Sequence, residues 1–372
     1  MLLTQFNKNS VWIHACSVGE INSISPIVNE LEAKRINTII SCITITGFNR
    51  IKDLFPHLRR FMLPFDILTG FYILISFNIP KSLIIVETEI WPAMLLACKI
   101  RGINIILVNA RISDNSYPRY KALKKLISPF LNMIDIIYAQ NNESLNRLKS
   151  LGYSRNIKLI PNMKFWSVSP SDKPDENLFP YSIDYLIAGS THYNEEKIIF
   201  NIYKNLLIDF PQLRLIVAPR HINRISNIEK TATSMGLNTV RKSNMSSPSN
   251  IVLLDTIGEL SKYYNLPGTV FIGGSFSNTG GHNPLEALAN GKIPINGPDY
   301  KNFKDIISIL KNNDLILIAE NEEDLYIKIK RDLEIKNDNI HKINDFFKSI
   351  NSYKSKFIKE LILKMSNPCV NI

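Results

Sequence analysis

The sequence contains no long apolar run and no paired-cysteine motif, and both absences exclude classes of protein. Its most apolar segment, residues 71–77, is far shorter than the roughly 20 residues that a helix needs to cross a bilayer. Residues 1–6 lack the basic start and the long apolar core of a secretory signal peptide. The four cysteines are scattered without Cys-x-x-Cys spacing, which indicates free thiols in a reducing compartment. The sequence therefore predicts a cytoplasmic protein without a membrane-spanning segment.

Two motifs of phosphate chemistry are also missing. The chain has no Asp-x-Asp pair, on which metal-dependent glycosyl and phosphoryl transferases often hold a divalent ion. It also has no Gly-x-x-x-x-Gly-Lys loop of the kind that wraps nucleotide phosphates. We therefore expect no metal ion, and we expect arginine, lysine and backbone N–H groups to hold any phosphate. One phosphate is easier to hold in this way than two or three.

Length and charge limit the class of protein and its partners. A chain of 372 residues fits two domains of roughly 150 to 200 residues each. Its 45% hydrophobic and 21% charged residues are typical of a folded globular protein. The net charge of +11 indicates an acidic partner, which could be nucleic acid, an anionic membrane surface or a phosphorylated substrate. Charge alone does not choose between these three.

Short Ile/Val/Leu runs alternate with amphipathic segments along most of the chain. This pattern is typical of parallel sheets covered by helices on both faces, so we predict an α/β protein with two doubly wound domains. A stretch with two prolines breaks the pattern and predicts a linker. The predicted parts are a first domain, a linker, a second domain and a C-terminal helix, at residues 1–165, 166–181, 182–345 and 346–372. Two such domains facing each other would form a cleft with one substrate on each wall.

A glycine-rich stretch at 273–286 is the strongest local signal for a ligand. It follows the apolar run 269–272 and leads into a predicted helix with Asn283 as N-cap and Pro284 as first helical residue. Free N–H groups at such a start favour an anion, and glycines let the backbone approach it. Glu286, one turn into the helix, suits ribose hydroxyls, so we predict a nucleotide. The alternative is a well-capped glycine turn without a ligand.

Acidic residues follow two predicted strands of the first domain. Glu20 lies near the start of the first helix, where it could act as a general base or only complement the helix dipole. A helix N-terminus lowers the pKa of a carboxyl, so a functional Glu20 needs a second carboxylate to oppose that effect. Glu87 and Glu89 follow another strand, and we expect at most one of them to enter the cleft. The alternative for each is a solvated loop acid.

Basic residues also follow strands. Arg111 and Lys164 are candidates for contact with an anionic substrate, or else ordinary surface charges. Arg220, after Pro219, can hold a phosphate by a planar bidentate contact that a lysine cannot make. The segment 255–260, with Ile257, Gly258 and Glu259, is again strand, loop and helix start, and could equally be only a capping box.

Taken together, six loop motifs resemble those of the 3-deoxy-D-manno-octulosonic acid (Kdo) transferases of lipopolysaccharide assembly. The motifs lie at 14–20, 87–92, 109–111, 189–192, 219–221 and 280–286, and the match runs in order over most of the chain. The resemblance implies a GT-B fold, in which two Rossmann-like domains face each other across a cleft. It also implies an inverting, metal-independent transfer of Kdo from CMP-Kdo to a lipid A precursor, lipid IVA, without a cofactor.

The resemblance also implies roles for individual residues. Glu20 would take the proton of the acceptor hydroxyl, and Glu89 or Glu87, with Lys164, would stabilise the transition state. The residues implied to hold CMP are Pro219, Arg220, Ile257, Gly258, Glu259, Asn283, Pro284, Leu285 and Glu286. The chain departs from the family pattern around Lys164, where Pro161 and Trp166 stand in place of Gly and Asp.

Family members usually carry a hydrophobic anchor before the first strand, and this sequence begins almost at that strand. We therefore expect salt-sensitive, peripheral attachment to the anionic cytoplasmic face of the inner membrane, and no nucleic acid as partner. Two alternatives remain: another GT-B enzyme that uses a UDP-sugar and a lipid acceptor, or a protein that binds an anionic sugar without turnover.

Overall fold

The computed structural model describes residues 10–63, 66–76, 79–335 and 339–366. The chain divides into two compact units, of which unit 1 comprises residues 1–167 and 348–372 and unit 2 comprises residues 168–347. Residues 1–9 of the predicted first domain and 367–372 of the predicted C-terminal helix lie outside the described residues.

Unit 1 is an α/β unit. Its strands are β1 Val11–His14, β2 Thr38–Cys42, β3 Arg59–Met62, β4 Ser82–Val86, β5 Asn104–Ala110, β6 Ile136–Ala139 and β7 Asn156–Leu159. Its helices are α1 Val18–Ala33, α2 Ile45–Leu54, α3 Leu68–Ser76, α4 Pro92–Ile100, α5 Tyr117–Ala122, α6 Lys124–Leu131 and α7 Asn142–Ser150, followed by a 3-10 helix at Met163–Trp166.

In the part of unit 1 that the structure describes, the seven strands form one parallel sheet in the order β3-β2-β1-β4-β5-β6-β7. Strands β1 and β4 are buried at every residue, because helices cover both faces of the sheet. The strand order reverses between β1 and β4, and ligands of doubly wound sheets bind at such a reversal, beyond the carboxyl ends of the strands. The loops after β1 and β4 are therefore the first place to look for a site.

The C-terminal helix, α14 Ile340–Ser366, ends in unit 1. Within that unit the hydroxyl of Tyr138 donates to Glu360 Oε1 at 2.7 Å, and Lys158 Nζ forms an ion pair with the same carboxylate. The ring of Phe357 packs edge-on against Tyr138 at a centroid distance of 4.9 Å. The C-terminal half of α14 therefore packs against β6 and β7.

Unit 2 repeats the architecture. Its strands are β8 Tyr185–Thr191, β9 Arg214–Pro219, β10 Val240–Arg241, β11 Ile251–Leu253, β12 Gly268–Ile272, β13 Ile295–Asn296 and β14 Leu317–Ile318. Its α-helices before α14 are α8 Glu195–Asp209, α9 Ile225–Ser234, α10 Leu260–Tyr263, α11 Leu285–Ala289, α12 Lys304–Asn312 and α13 Glu322–Ile335. Single 3-10 turns occur at Ile222–Arg224, Lys242–Asn244 and Lys301–Phe303.

The described strands of unit 2 also form a seven-stranded parallel sheet, in the order β10-β11-β9-β8-β12-β13-β14. Apolar side chains pack on both faces, with Phe200 and Tyr203 of α8 on one face and Tyr263 and Tyr264 on the other. The strand order reverses between β8 and β12, so the loops after these two strands lie at the reversal. The predicted class of two doubly wound α/β domains is confirmed.

Several elements differ from the sequence prediction. The pattern gave no helix at α2 or α3 and no strand at β10 or β14. Helix α11 begins at Leu285 with Pro284 as cap, one residue later than predicted, and spans only Leu285–Ala289. Among the described helices, none is both long and apolar enough to span a bilayer.

Candidate active site

Three carboxylates lie at the strand reversal of unit 1. Glu20 belongs to the first turn of α1, directly after β1, while Glu87 and Glu89 directly follow β4. Strands β1 and β4 are neighbours, with Val11 level with Ser82. The parallel sheet therefore brings two acidic loops that are far apart in the sequence to the same edge.

The carboxylate of Glu20 is held by the residues that begin its own helix. Ser17 is the N-cap of α1, and its hydroxyl oxygen accepts from the Glu20 N–H at 3.2 Å. The same hydroxyl donates to Glu20 Oε1 at 2.8 Å, and the backbone N–H of Cys16 donates to Oε2 at 2.7 Å. This reciprocal pattern is close to a capping box, and it fixes both oxygens of a side chain that is only 7% exposed.

The protein raises the pKa of Glu20 to about 7. Burial is the largest cause, and the charges of Glu87 and then Glu89 act in the same direction. The hydrogen bonds from Cys16 and Ser17 act in the opposite direction, as expected for donors that favour the ionised form. The expected upward influence of a second carboxylate is thus present, but loss of water is the stronger effect.

The prediction that at most one of Glu87 and Glu89 enters the site stays a prediction, because the local backbone does not continue the strand at these residues. Strand β4 ends at Val86, and Glu87 has a left-handed φ of 59°, which breaks the alternation of side chains. Both acids then influence the pKa of Glu20. The intervening Thr88 accepts the N–H of Arg111 at 2.9 Å and donates to its carbonyl, which ties this loop to the end of β5.

Glu89 lies in a small buried network that sequence reasoning missed. Trp91 Nε1 donates to Glu89 Oε2 at 3.1 Å, and burial raises the pKa of this carboxyl while Trp91 and the nearby Cys16 thiol lower it. His14 Nε2 is 3.2 Å from Cys16 Sγ, and burial lowers the pKa of His14 to about 4, so its ring is neutral at pH 7. Sequence position could have indicated this network, since His14 and Cys16 lie in the motif 14–20 and Trp91 lies in the motif 87–92.

Lys164 lies in the 3-10 helix Met163–Trp166, which packs against α1. Two asparagines determine where this short helix begins. Asn162 Oδ1 accepts the N–H of Lys164 at 3.0 Å, and Asn109 Oδ1 accepts the N–H of Met163 at 3.1 Å. Asn109 is fully buried and has a left-handed φ of 55° near the end of β5. Its side chain therefore links the end of β5 to the 3-10 helix that carries Lys164.

In unit 2, several predicted donor-binding residues line one cavity of about 110 Å³. Pro219 and Arg220 form one wall at the end of β9, and Ile257 and Gly258 form another, after β11. Ile257 is 89% exposed, so its side chain is accessible at this wall of the cavity. The neighbouring Glu259 precedes α10 and makes no side-chain cap bond to it, while its carboxylate accepts from the hydroxyl of Thr256.

The Asn283 segment approaches the same arginine. The Glu286 carboxyl lies at the surface, but the surrounding protein removes enough water to raise its pKa. A hydrogen bond from Asn283 and the charge of Arg220 both lower that pKa, so the carboxylate lies within electrostatic reach of the guanidinium. Asn283 Oδ1 accepts the N–H of Leu285 at 3.2 Å, as a helix cap would, although the helix starts one residue later than predicted.

The first N–H groups of the glycine-rich loop are not available to a ligand. The buried carboxylate of Glu195, on α8, accepts the N–H groups of Gly274, Ser275 and Phe276 at 2.7 to 2.9 Å. It also accepts the N–H of His192 at 2.8 Å. An internal carboxylate therefore holds this part of the loop, and the anion expected at the helix start stays a prediction.

Three histidines meet at the carboxyl end of the unit 2 sheet. His192 Nε2 and His282 Nε2 are 2.8 Å apart, with stacked rings, and His221 lies edge-on to His192. Burial, followed by His192, Arg220 and His221, lowers the pKa of His282 to about 4. His192 follows β8 and His221 follows β9, so each lies in a loop directly after a strand.

Gly189 in the same region is required by packing. A Cβ at Gly189 would lie 2.1 Å from the hydroxyl of Tyr264, which is fully buried in the adjacent core. The charge of Glu286 contributes to the raised pKa of that tyrosine, so Tyr264 lies behind the Glu286 segment. Among the described residues, no three His, Cys, Asp or Glu side chains are grouped to hold a metal ion.

Each unit thus carries one chemical function at its strand reversal. Unit 1 presents a buried carboxyl whose pKa is close to neutrality, which is what a general base requires. Unit 2 presents an arginine beside a small cavity and a carboxylate, which suits a phosphate next to a sugar.

Comparison with known proteins gives consistent matches. The family model described as 3-Deoxy-D-manno-octulosonic-acid transferase (kdotransferase) matches residues 2–167. A 3-deoxy-D-manno-octulosonic acid transferase of Haemophilus influenzae is 32% identical over 81% of this chain and 73% of that protein. A bifunctional glycosyltransferase/methyltransferase of Fusobacterium nucleatum is 31% identical over 97% of this chain, which spans 58% of that longer protein.

A solved structure shares the fold at low identity. A glycosyltransferase from Rickettsia africae is 12% identical and superposes with a TM-score of 0.61 over 96% of this chain and 99% of that chain. At this identity the likeness shows the fold alone. The two-unit architecture named GT-B is thereby confirmed.

Proposed function

The chain belongs to the family of Kdo transferases, and from that premise we propose that it transfers Kdo from CMP-Kdo to a lipid A precursor, lipid IVA. The reaction would invert the anomeric centre of Kdo and need no metal ion. The observation that carries this proposal is the environment of Glu20, whose pKa is raised to about 7 in a site at the strand reversal.

The proposed first role is removal of a proton. The Glu20 carboxylate accepts the proton of an acceptor hydroxyl while the hydroxyl oxygen forms a bond to the anomeric carbon of Kdo. The bond between that carbon and the phosphate oxygen of CMP breaks, and CMP leaves with the bonding electrons. A base with a pKa near 7 is ionised often enough to act at neutral pH and is still basic enough to hold the proton.

The proposed second role is to retain the leaving group. Arg220 would pair with the single phosphate of CMP, supported by Pro219, and Glu286 would accept from the ribose hydroxyls. Ile257 and Gly258 line the same small cavity as Arg220, which supports their assignment to the donor. The other residues of the proposed donor set are Glu259, Asn283, Pro284 and Leu285.

Lys164, with Glu87 and Glu89, completes the proposed set of catalytic residues. A lysine cation near the reacting centre would stabilise the charge that develops on the leaving phosphate or on the Kdo carboxylate. Glu87 and Glu89 act on Glu20 through their charges, which keep its pKa high. We propose that both contribute, since both influence Glu20.

Metal independence and membrane attachment are parts of the same proposal. Transfer is expected to continue in excess EDTA, because arginine and lysine replace the ion that diphosphate-sugar enzymes often use. The chain is expected to associate peripherally with the cytoplasmic face of the inner membrane, where a lipid acceptor is presented, and to release in high salt.

The donor assignment is tested by ligand-dependent thermal stabilisation. We expect CMP to stabilise the protein more than UDP, and Arg220→Lys to weaken CMP binding at least tenfold, because a lysine cannot form the bidentate contact. Arg241→Lys is the matched control, since Arg241 pairs with Glu229 away from the cavity. Stronger stabilisation by UDP would favour a UDP-sugar enzyme, and CMP binding without any transfer would favour a binding protein.

A further inference from the structure

Helices α5 and α6 of unit 1 expose a run of basic and apolar side chains, residues 119–126, which we name the basic leucine face. Leu123 is 52% exposed and Leu126 is 63% exposed. The cations of this face, Arg119, Lys121, Lys124 and Lys125, are all exposed. Exposed leucines between lysines on short helices are the pattern of a segment that lies on a membrane surface.

The positive charge of this face is not neutralised locally. The sequence contains no Asp or Glu between Asp114 and Asp135. Asp114 forms an ion pair with Arg147, and Asp135 forms ion pairs with Lys99 and Arg155, each at 2.9 Å. Among the described residues, none of the four cations of the face takes part in an ion pair.

The face adjoins the acidic site of the same unit. Tyr120 lies on the inner side of α5, half-buried, and the charge of Glu89 contributes to its raised pKa. Lys121, the next residue, is exposed, with its Nζ 6.0 Å above the ring of Tyr117. Helix α5 therefore lies near Glu89 on one side and carries two cations of the basic leucine face on the other.

We propose that the basic leucine face docks unit 1 on the surface of an anionic lipid bilayer, with Leu123 and Leu126 entering the headgroup region. This inference rests on the proposed function, because a lipid acceptor would lie in such a bilayer next to Glu20. Charge selects the anionic lipid, and the leucines distinguish a bilayer from a purely polar polyanion, which offers them no apolar environment.

Vesicle binding tests the charges. The full chain is titrated with vesicles of phosphatidylglycerol and phosphatidylcholine that contain no acceptor and no donor. Removing two lysines is expected to weaken binding about thirtyfold, so K124E/K125E should lose at least that factor. The control K52E/K81E makes the same change in net charge at two exposed lysines of unit 1 outside the face and should stay within about threefold of wild type.

The leucines are tested by a second pair of variants. L123S/L126S is expected to weaken vesicle binding about tenfold, and this loss should persist in high salt, because apolar burial is not screened. The control I208S/I327S replaces two exposed isoleucines of unit 2, which are 82% and 53% exposed, and should bind like wild type.

Three results would overturn the proposal. The first is equal loss of binding in K124E/K125E and K52E/K81E, which would mean that net charge alone attracts the protein. The second is vesicle binding at the wild-type level by both K124E/K125E and L123S/L126S. The third is a change in oligomeric state of K124E/K125E in sedimentation without vesicles, which would assign the face to a second copy of the chain. Since neither substrate is present, failure of the proposed transfer reaction leaves this test unaffected.

Discussion

The backbone N–H of Cys16 donates to Glu20 Oε2 at 2.7 Å, and this contact links the end of β1 to the carboxyl that we assign as base. The thiol of the same cysteine influences the pKa of Glu89, so Cys16 lies near two of the three acids of the site. Donors fixed by the backbone hold the carboxylate in one orientation before any substrate arrives. Preorganisation of this kind is expected where a side chain must receive a proton in a defined direction.

The pH dependence of transfer should report the ionisation of Glu20. Because the base must be ionised, we expect kcat/KM to fall below a pH of about 7, with unit slope. Glu87→Gln and Glu89→Gln each remove a negative charge that raises the pKa of Glu20. Each should therefore move the acidic limb of the kcat/KM profile to lower pH. The Glu87 variant should move it further, because Glu87 is the larger influence. A limb that both variants leave in place would mean that another group is titrating.

Replacing Glu20 should stabilise the folded protein at alkaline pH. A carboxyl whose folded pKa is raised binds its proton more tightly in the native state, so the native state loses stability as pH rises from the unfolded value of 4.5 to about 7. Above pH 7 the ionisation of Glu20 lowers the free energy of unfolding of wild type by roughly 3 kcal/mol in total. Glu20→Gln lacks this ionisation, so its free energy of unfolding in urea should rise relative to that of wild type between pH 5 and pH 8. If Glu20 were only a helix cap, the variant would be slightly less stable at both pH values.

Glu195 should be essential to the order of the glycine-rich loop. In Glu195→Gln an amide replaces one carboxylate oxygen and leaves two buried N–H donors without an acceptor, which should cost about 2 to 4 kcal/mol of unfolding free energy. We also expect proteolysis within 273–281 to become faster than in wild type. Glu323→Gln, at an exposed position in the first turn of α13, is the matched control and should change neither quantity. Unchanged stability in Glu195→Gln would show that the loop is held by other contacts.

Gly189 should tolerate no side chain while Tyr264 keeps its hydroxyl. The added Cβ in Gly189→Ala would lie 2.1 Å from that oxygen, so the variant should lose about 1 to 3 kcal/mol of unfolding free energy. The double variant with Tyr264→Phe should lose less than the sum of the single losses, because removing the hydroxyl makes room. Gly70→Ala, where no atom lies within 4 Å of the new Cβ, should show no such loss. Strict additivity in the double-mutant cycle would contradict the packing argument.

The sheets were predictable because their strands are buried on both faces. Strand β1 reads Val-Trp-Ile-His and β4 reads Ser-Leu-Ile-Ile-Val, and every residue of both is buried. Helix α2 was missed because it buries only Gly47 and Ile51, which leaves little apolar periodicity to detect. Strands β10 and β14 have two residues each, too few for any pattern.

The site was predictable in position but not in its electrostatics. The place of Glu20 after a buried strand could be seen in the sequence, whereas its burial depends on packing that no local pattern records. The left-handed φ of Glu87 breaks the regular strand geometry directly after Val86, so the sequence pattern does not determine where Glu87 and Glu89 point. The occupant of the glycine-rich loop, the carboxylate of Glu195, comes from a different helix and had no local signal.

The most direct test of the central claim is one transfer assay. Wild type and Glu20→Gln are incubated with CMP-Kdo and lipid IVA, the product is weighed by mass spectrometry, and CMP affinity is measured on the same samples. We predict a lipid heavier by Kdo with wild type, and a rate at least about 100-fold lower in the variant, with CMP affinity within twofold. A variant that transfers Kdo at close to the wild-type rate would show that Glu20 is not the base.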